Sequence, residues 1–230
     1  MFTNSKICVI SAHPDDWEIG MGQFLIELLN PARANRLEIC VVTDGGAGGY
    51  TTERKAEQLA VTRSLKRRFP KNFLGLHKDS FAFPDTELTS SKTLITYLER
   101  VCNGSDLVFT HYPDDSHQDH RSLGVCIRPA CRTIANVVFY QSYTALNFQP
   151  SLFFDFTRAQ MESAQGKLHL IMLHRSQVQR YKGSNQDLIE DMYSLASYNG
   201  FVCKTPKRFA EGFVPWKLSL NRNAAPGGKI

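Results

Sequence analysis

The chain has 230 residues, a length that suits one α/β domain with a sizeable core. Hydrophobic residues make up 42% of it and charged residues 21%, which are ordinary values for a globular protein. The formal net charge of +5 is too modest to indicate a nucleic-acid partner, and the basic cluster within residues 63–71 is interpreted as a solvated helix face.

The N-terminus and the cysteines indicate the compartment. The apolar run at residues 7–12 is too short for a signal peptide or a transmembrane helix, so we expect no membrane span. The six cysteines form no C-x-x-C pair, and we interpret them as reduced thiols. Both observations predict a cytoplasmic protein.

The first predicted elements form a strand–helix–strand unit. Residues 7–11 are apolar and read as a buried strand. Apolar side chains in residues 17–30 recur on one helical face, and Pro31 ends that helix. Residues 37–43 show almost no polar alternation, which is typical of a strand buried on both faces of a parallel sheet.

The same alternation continues along the chain. The next predicted elements are a mobile glycine-rich loop at residues 44–50, a helix at 53–68, a strand at 73–76, a helix at 91–102 and a strand at 107–110. The last third is predicted to contain a helix at residues 121–132, strands at 137–140 and 152–155, helices at 157–174 and 187–198, and a strand at 209–213.

Alternating strands and helices predict an α/β fold with a mostly parallel sheet that helices cover on both faces. No repeat or linker divides the chain, so we predict a single domain over residues 1–220. Residues 221–230 contain Pro and Gly and are predicted to form a flexible C-terminal tail.

Two clusters of acidic and histidine residues directly follow predicted strands. His13, Asp15 and Asp16 follow the first strand, and residues 114–120 follow the fourth. In a doubly wound sheet these two strands are neighbours at the point where strand order reverses, which is where ligands bind. The topology therefore predicts that His13 and His120 meet at one site.

We interpret His13, Asp16 and His120 as metal ligands. Two imidazoles and one carboxylate suit a catalytic Zn²⁺ that keeps one position open for water. The same donors suit Fe²⁺ or Mn²⁺, so the identity of the metal stays open. Asp15, beside the ligand Asp16, is predicted to be the general base that takes a proton from the water.

His117 and Asp119 complete the predicted site. His117 lies three residues before His120 and can stabilise an oxyanion as imidazolium or protonate the leaving group. Asp119 can hydrogen-bond one imidazole and fix its tautomer. The alternatives are that Asp15 and Asp119 cap helices and that His117 is a solvated loop residue.

The chain also carries two family motifs. His-Pro-Asp-Asp-x-Glu-x-Gly at residues 13–20 and His-x-Asp-His at residues 117–120 resemble the signature of the PIG-L/LmbE-like family of zinc-dependent N-deacetylases. Members of that family remove acetyl groups from N-acetylglucosamine-type amides. The resemblance implies a Rossmann-like, three-layer fold.

The resemblance also implies roles for individual residues. It implies zinc binding by His13, Asp16 and His120, a general base at Asp15, and a charge-stabilising imidazole at His117. A substrate-contacting arginine of the family corresponds to Arg54. Three positions depart from the family pattern. Gln118 stands where proline is usual, and Gln23 stands where small residues are frequent. Asp115 stands where some relatives have tyrosine, which leaves the oxyanion partner open.

Substrate contacts are less defined by the sequence. Arg54 can bind a hydroxyl or phosphate or be a helix-surface charge, and Asp44 can bind sugar hydroxyls or cap the glycine-rich turn. That loop lacks the Lys-Ser/Thr of a P-loop, which argues against a nucleotide site. The aromatic residues of the loops either stack on a sugar or pack: Tyr50, Phe83, Tyr143 and Phe148. The remaining histidines are interpreted as structural: His77, His111, His169 and His174.

The sequence thus predicts a metal-dependent hydrolase that releases acetate from a small-molecule N-acetylated amino sugar. The alternatives are an amidase that cuts a larger acyl group and a catalytically silent sugar-binding module on the same fold. The sequence leaves open whether the chain forms a homo-oligomer.

Overall fold

The computed structural model describes residues 2–48, 50–182 and 187–219. The strands within these ranges are β1 (Lys6–Ser11), β2 (Arg36–Val41), β3 (Phe73–Leu76), β4 (Leu107–His111), β5 (Asn136–Tyr140), β6 (Leu152–Phe156) and β7 (Phe209–Lys217). The helices are α1 (Asp16–Leu28), α2 (Thr51–Arg68), α3 (Lys92–Cys102), α4 (Gln118–Ala130), α5 (Arg158–Glu162), α6 (Lys167–Ile171), α7 (Arg175–Lys182) and α8 (Leu188–Val202).

The seven strands form one mixed sheet in the order β3-β2-β1-β4-β5-β7-β6. The pairs from β3 to β5 are parallel, whereas β7 runs antiparallel to both β5 and β6. The predicted single α/β domain with a mostly parallel sheet is therefore confirmed. The predicted contact between the first and fourth strands is also confirmed, because Ile7 lies opposite Leu107 in a parallel pair.

Hydrophobic side chains cover both faces of the sheet. In β1, Ile7 and Val9 belong to the core cluster that α1 and α2 complete, whereas Cys8 and Ile10 belong to the cluster that α3 and α4 complete. This alternation is what a strand buried on both sides requires. A third cluster joins the four C-terminal helices to Ile19 of α1.

Three predicted helices have other boundaries in the structure. The predicted helix 157–174 is wrong as one element, because it is divided into α5 and α6. At Gly166 a Cβ would lie 2.2 Å from the Gln160 carbonyl oxygen, so the chain turns back on itself there. Helix α4 begins at Gln118 rather than residue 121, since His117 acts as its N-cap. Helix α8 passes through Gly200, where a Cβ would lie 2.0 Å from the Arg208 carbonyl oxygen, so this glycine permits close packing and does not end the helix.

Other differences are smaller. Helix α7 was not predicted, and β7 extends to Lys217 rather than residue 213, passing Pro215 where its partner is β5. The loop predicted to be mobile contains a 3-10 turn at Gly46–Gly48. The predicted tail at residues 221–230 lies outside the described residues. Among the helices that the structure describes, none combines the length and apolar character needed to cross a bilayer.

Candidate metal and active site

The two predicted clusters meet at the carboxyl edge of the sheet. The loop after β1 carries His13, and β4 leads through a loop into His120 in the first turn of α4. Because β1 and β4 are adjacent and parallel, both chain segments leave the sheet at the same edge. His13 Nδ1 lies 3.2 Å from His120 Nε2, so the predicted meeting of the two histidines is confirmed.

Asp16 lies against both imidazoles. Its Oδ2 is 3.3 Å from His13 Nδ1, and its Oδ1 is 3.4 Å from His120 Nε2. Ligand atoms of a tetrahedral zinc centre with bonds of about 2.05 Å are separated by about 3.3 Å. The distance between the two imidazole nitrogens fits one ion, and Asp16 faces each ring with a different oxygen. With one donor atom taken from each residue, three groups have their donors within 4.8 Å of one another: His13, His117 and His120; Asp16, His111 and His120; and His13, Asp85 and Asp119.

The opposite nitrogen of each imidazole faces carboxylates. His13 Nε2 lies 3.0 Å from Asp85 Oδ1 and 3.1 Å from Asp119 Oδ2. His120 Nδ1 lies 3.2 Å from Asp115 Oδ2. A carboxylate that accepts one N–H of an imidazole fixes the tautomer and directs the other nitrogen's lone pair toward a metal. The donor set thus has the orientation that a metal ligand needs.

The charge of the site also suits a cation. Burial lowers the pKa of His13, but the neighbouring carboxylates raise it well above its usual value. Burial likewise opposes the charge of His120, yet Asp16 and Asp115 raise its pKa to about 9. The carboxyl pKa of Asp16 is lowered well below its usual value by the surrounding imidazoles, although burial alone raises it. Five carboxylates and one arginine meet here, so a divalent cation would balance much of the negative charge: Asp15, Asp16, Asp85, Asp115, Asp119 and Arg54.

Asp15 occupies the N-cap position of α1 but makes no capping hydrogen bond with its side chain. Its φ of 92° is in the left-handed region, which is strained for aspartate. The carboxylate lines the cavity, and its Oδ1 accepts a hydrogen bond from Arg54 at 3.2 Å. Burial raises the pKa of Asp15 to about 6, against the opposing charge of Arg54.

His117 is the N-cap of α4. Its Nδ1 accepts the backbone N–H of Asp119 at 3.2 Å, so in the neutral ring the proton resides on Nε2. Burial and the nearby His120 and His13 lower the pKa of His117. The ring also lines the cavity.

Three further residues touch this site, and the sequence assigned none of them a role in it. Asp85 and Asp115 hold the imidazoles, and His111, interpreted as structural, stacks on His120 with ring centroids 3.9 Å apart. His111 Nε2 accepts the N–H of Ala12 at 3.1 Å and lies 3.2 Å from Asp16 Oδ2. The available signal for His111 was its place at the carboxyl end of β4.

The two residues predicted to contact substrate, Arg54 and Asp44, have different positions relative to the cavity. Arg54 lines the cavity but is buried, and it donates to the Gly45 carbonyl at 2.9 Å and the Pro14 carbonyl at 2.7 Å as well as to Asp15. Asp44 caps the glycine-rich turn by accepting the N–H of Gly46 at 3.1 Å, which was the alternative considered for it. Asp44 is not among the residues that line the cavity.

The cavity has a volume of about 410 Å³ and reaches from the histidines to helices α7 and α8. Of the four loop aromatics, Tyr143 lines it. Phe83 packs edge-on against Tyr97 at 5.1 Å, and Phe148 packs edge-on against Tyr112 at 5.1 Å. A cavity of this size with convergent polar groups is typical of a small-molecule site.

Comparisons with known proteins agree with this geometry. Residues 8–131 match the PIG-L family, described as GlcNAc-PI de-N-acetylase. YaiS of Escherichia coli (strain K12), an uncharacterized deacetylase, is 30% identical over 157 residues, which cover 64% of this chain and 80% of that protein. Diacetylchitobiose deacetylase of Thermococcus kodakarensis is 29% identical over 125 residues, covering 52% of this chain and 46% of that protein.

A solved structure shares the fold. N,N'-diacetylchitobiose deacetylase from Pyrococcus horikoshii, complexed with its inhibitor MPG, superposes with a TM-score of 0.73 at 21% sequence identity. The alignment covers 92% of this chain and 83% of that one.

Proposed function

Because this chain belongs to the PIG-L family of GlcNAc-PI de-N-acetylases, we propose that it is a zinc-dependent enzyme that removes the N-acetyl group from an N-acetylated amino sugar. The family and the two deacetylase relatives support hydrolysis of an acetylated amino sugar. The products are acetate and the free amine. Fe²⁺ is the alternative metal, because imidazole and carboxylate also suit it.

One observation carries the proposal. His13 and His120 each face a carboxylate with one nitrogen, and their other nitrogens approach within 3.2 Å of each other beside Asp16. When no metal is bound, a proton shared between these two nitrogens makes the contact, and a bound cation would take the place of that proton. We therefore assign His13, Asp16 and His120 as the metal ligands.

A divalent metal bound there supplies a Lewis acid that polarises the acetyl carbonyl and makes a water molecule more acidic. Asp15 takes the proton from the attacking water as the new C–O bond forms. A pKa of about 6 suits this base, because Asp15 is mostly ionised at neutral pH and still accepts a proton readily. Arg54 orients the Asp15 carboxylate through its hydrogen bond to Oδ1.

His117 stabilises the developing oxyanion with its Nε2–H. The backbone N–H of Asp119 occupies its Nδ1, which favours the neutral ring as a donor over the imidazolium considered from sequence. Asp15 then returns its proton to the sugar nitrogen as the C–N bond breaks. Asp119 holds the His13 ring and also accepts the N–H of Thr86 at 2.8 Å, so it is a positioning residue.

The test is acetate release by the wild type and by Asp15→Asn, with the methyl glycoside of N-acetylglucosamine, N,N'-diacetylchitobiose and a glucosamine with a longer acyl chain. We expect acetate from the first two, and a loss of roughly 10²- to 10⁴-fold in the variant with its metal content retained. Asp114→Asn is the matched control, since this exposed aspartate of the loop between β4 and α4 lies outside the cavity. Release of the longer acyl group alone would instead support the amidase alternative.

A further inference from the structure

The cavity contains two arginines with different surroundings. Arg54 is buried, and its guanidinium donates to two backbone carbonyls and to Asp15, so its hydrogen bonds are directed at the chain itself. Arg180 is exposed and lies in the last turn of α7. Within the described residues, no aspartate or glutamate forms an ion pair with Arg180, although its side chain lines the cavity.

Four acidic residues at the proposed metal site have imidazole partners within the site. Asp16, Asp85, Asp115 and Asp119 face imidazoles. The far wall has another acid, Asp191 in the first turn of α8, but it lies farther than ion-pair distance from Arg180. A positive residue in the last turn of a helix and a negative residue in the first turn are favoured by the helix dipole. The dipole explains the signs of Arg180 and Asp191, but it does not explain why both line the cavity.

Other side chains that line the cavity with Arg180 are fixed by hydrogen bonding or by burial. The Tyr143 hydroxyl donates to the Leu188 carbonyl at 3.2 Å, which fixes the ring against α8. Gln177, one turn before Arg180, is buried and lines the same cavity. A cavity that is lined by a positive side chain, a fixed aromatic ring and a buried amide suits an anionic sugar conjugate.

We propose that Arg180 binds an anionic group, a phosphate or a carboxylate, on the N-acetylated substrate. This inference rests on the proposed function, because it concerns the substrate class of the same cavity. A planar guanidinium pairs with either anion through two parallel hydrogen bonds. Asp191 on the facing helix accepts hydrogen bonds from sugar hydroxyls and disfavours an anion on its own side, so it sets the direction of the bound substrate.

The experiment compares three substrates that share one acetylated sugar. They are the neutral methyl glycoside of N-acetylglucosamine, its carboxymethyl glycoside and N-acetylglucosamine 1-phosphate. In the wild type we expect kcat/KM to be higher for the carboxymethyl glycoside, the 1-phosphate or both than for the neutral glycoside. In Arg180→Gln we expect this preference to fall by roughly tenfold or more, through KM, which corresponds to the loss of one hydrogen-bonded charge pair.

Arg175→Gln is the control, since Arg175 is an exposed arginine on the same helix that does not line the cavity. It should leave the preference unchanged. Isothermal titration with glucosamine 1-phosphate and methyl glucosaminide gives a second readout, in which Arg180→Gln weakens the first ligand by a similar factor. Added salt should reduce the wild-type preference, because Arg180 is exposed.

The outcomes separate the two proposals. A preference for the carboxymethyl glycoside or for the 1-phosphate identifies which anion Arg180 binds. Equal turnover of neutral and anionic substrates, or a preference that Arg180→Gln leaves intact, would overturn the role of Arg180 while the deacetylase proposal stands. No acetate from any of the three, with metal bound, would count against the deacetylase proposal itself.

Discussion

Each histidine of the proposed metal centre contacts a carboxylate with its second nitrogen, His13 through distant parts of the chain and His120 through the loop that precedes it. One carboxylate oxygen of Asp115 contacts the His120 ring, and the other accepts the backbone N–H of His117 at 2.8 Å. Ser142 also donates a hydrogen bond to it. This single buried aspartate therefore fixes both the proposed ligand His120 and the start of α4.

Replacing Asp115 should weaken the metal site. In Asp115→Asn we expect metal affinity to fall by roughly 10- to 100-fold, because the imidazole loses the partner that orients it. The measurement is competition for Zn²⁺ against a chromophoric chelator. Asp114→Asn should retain the wild-type affinity, and equal losses in both variants would contradict a specific role for Asp115.

His117 should affect turnover and leave the metal in place. Its proposed contact with the oxyanion exists only as charge develops, so His117→Ala should lower kcat by roughly 10²- to 10³-fold with little change in KM. Steady-state kinetics with metal content measured on the same sample tests this. A variant that loses its metal together with its activity would indicate that His117 is itself a ligand.

Among individual residues, the sequence indicated His13, Asp16 and His120 as candidate ligands because they lie in dense clusters that follow strands. It also indicated Asp119 as a partner of an imidazole, and Asp119 Oδ2 lies 3.1 Å from His13 Nε2. Asp85 was not assigned as a partner of His13, because it lies 72 residues further along the chain. Only the tertiary structure places its carboxylate 3.0 Å from His13 Nε2.

Helix α1, which carries Asp16 into the site, is interrupted at Met21, where φ is −148°. Glu211 of β7 accepts the backbone N–H groups of Gln23 and Phe24 at 3.0 and 2.7 Å, so it caps the second half of the helix. Lys167 of α6 pairs with Glu211 at 2.9 Å and donates to the Ile19 carbonyl. The ion pair thereby satisfies the backbone groups that the kink leaves without helical partners.

Breaking this buried pair should cost much stability. Lys167→Met leaves the Glu211 carboxylate buried without its cation, for an expected loss of about 3–5 kcal/mol in the free energy of unfolding. The double variant Lys167→Met/Glu211→Gln should lose less than the sum of the single changes. Urea unfolding measures both, and the exposed pair of Arg158 and Glu162 gives the control, where Arg158→Met should change stability little.

A loss from Lys167→Met as small as that from Arg158→Met would contradict a structural role for the buried pair. The activity of Lys167→Met, measured per folded molecule, gives a second test of the same change. Since α1 carries Asp16, a shifted kink should also lower metal affinity.

Strands and helices with a clear hydrophobic pattern could be predicted from the sequence. Helix boundaries that depend on packing against distant parts of the chain could not. The strands near residues 7–11 and 107–110 were found because every side chain in them is apolar or small enough to bury. Two glycines show the effect of such packing in opposite ways. Gly166 lies at a break inside the predicted helix 157–174, and Gly200 lies inside α8, beyond the predicted end of that helix at residue 198. In both cases a backbone approach from elsewhere in the fold decided the outcome.

On the scale of the whole molecule, the switch between β1 and β4 brings two distant sequence clusters to one edge of the sheet. This topology was predictable, since alternating strands and helices allow few arrangements. The far wall of the cavity comes from α7 and α8, which have weak sequence patterns and lie outside the residues that match the family. The residues proposed for the reaction and those proposed for substrate selection therefore lie in different parts of the chain.

The most direct test of the account is acetate release during metal titration. Protein stripped by a chelator should release no acetate from an N-acetylglucosamine glycoside, and Zn²⁺ should restore activity in proportion up to one equivalent bound. His120→Ala should regain none of it. Full acetate release from protein that contains no metal, or one bound equivalent without acetate from any N-acetylated sugar, would contradict a metal-dependent deacetylase at this site.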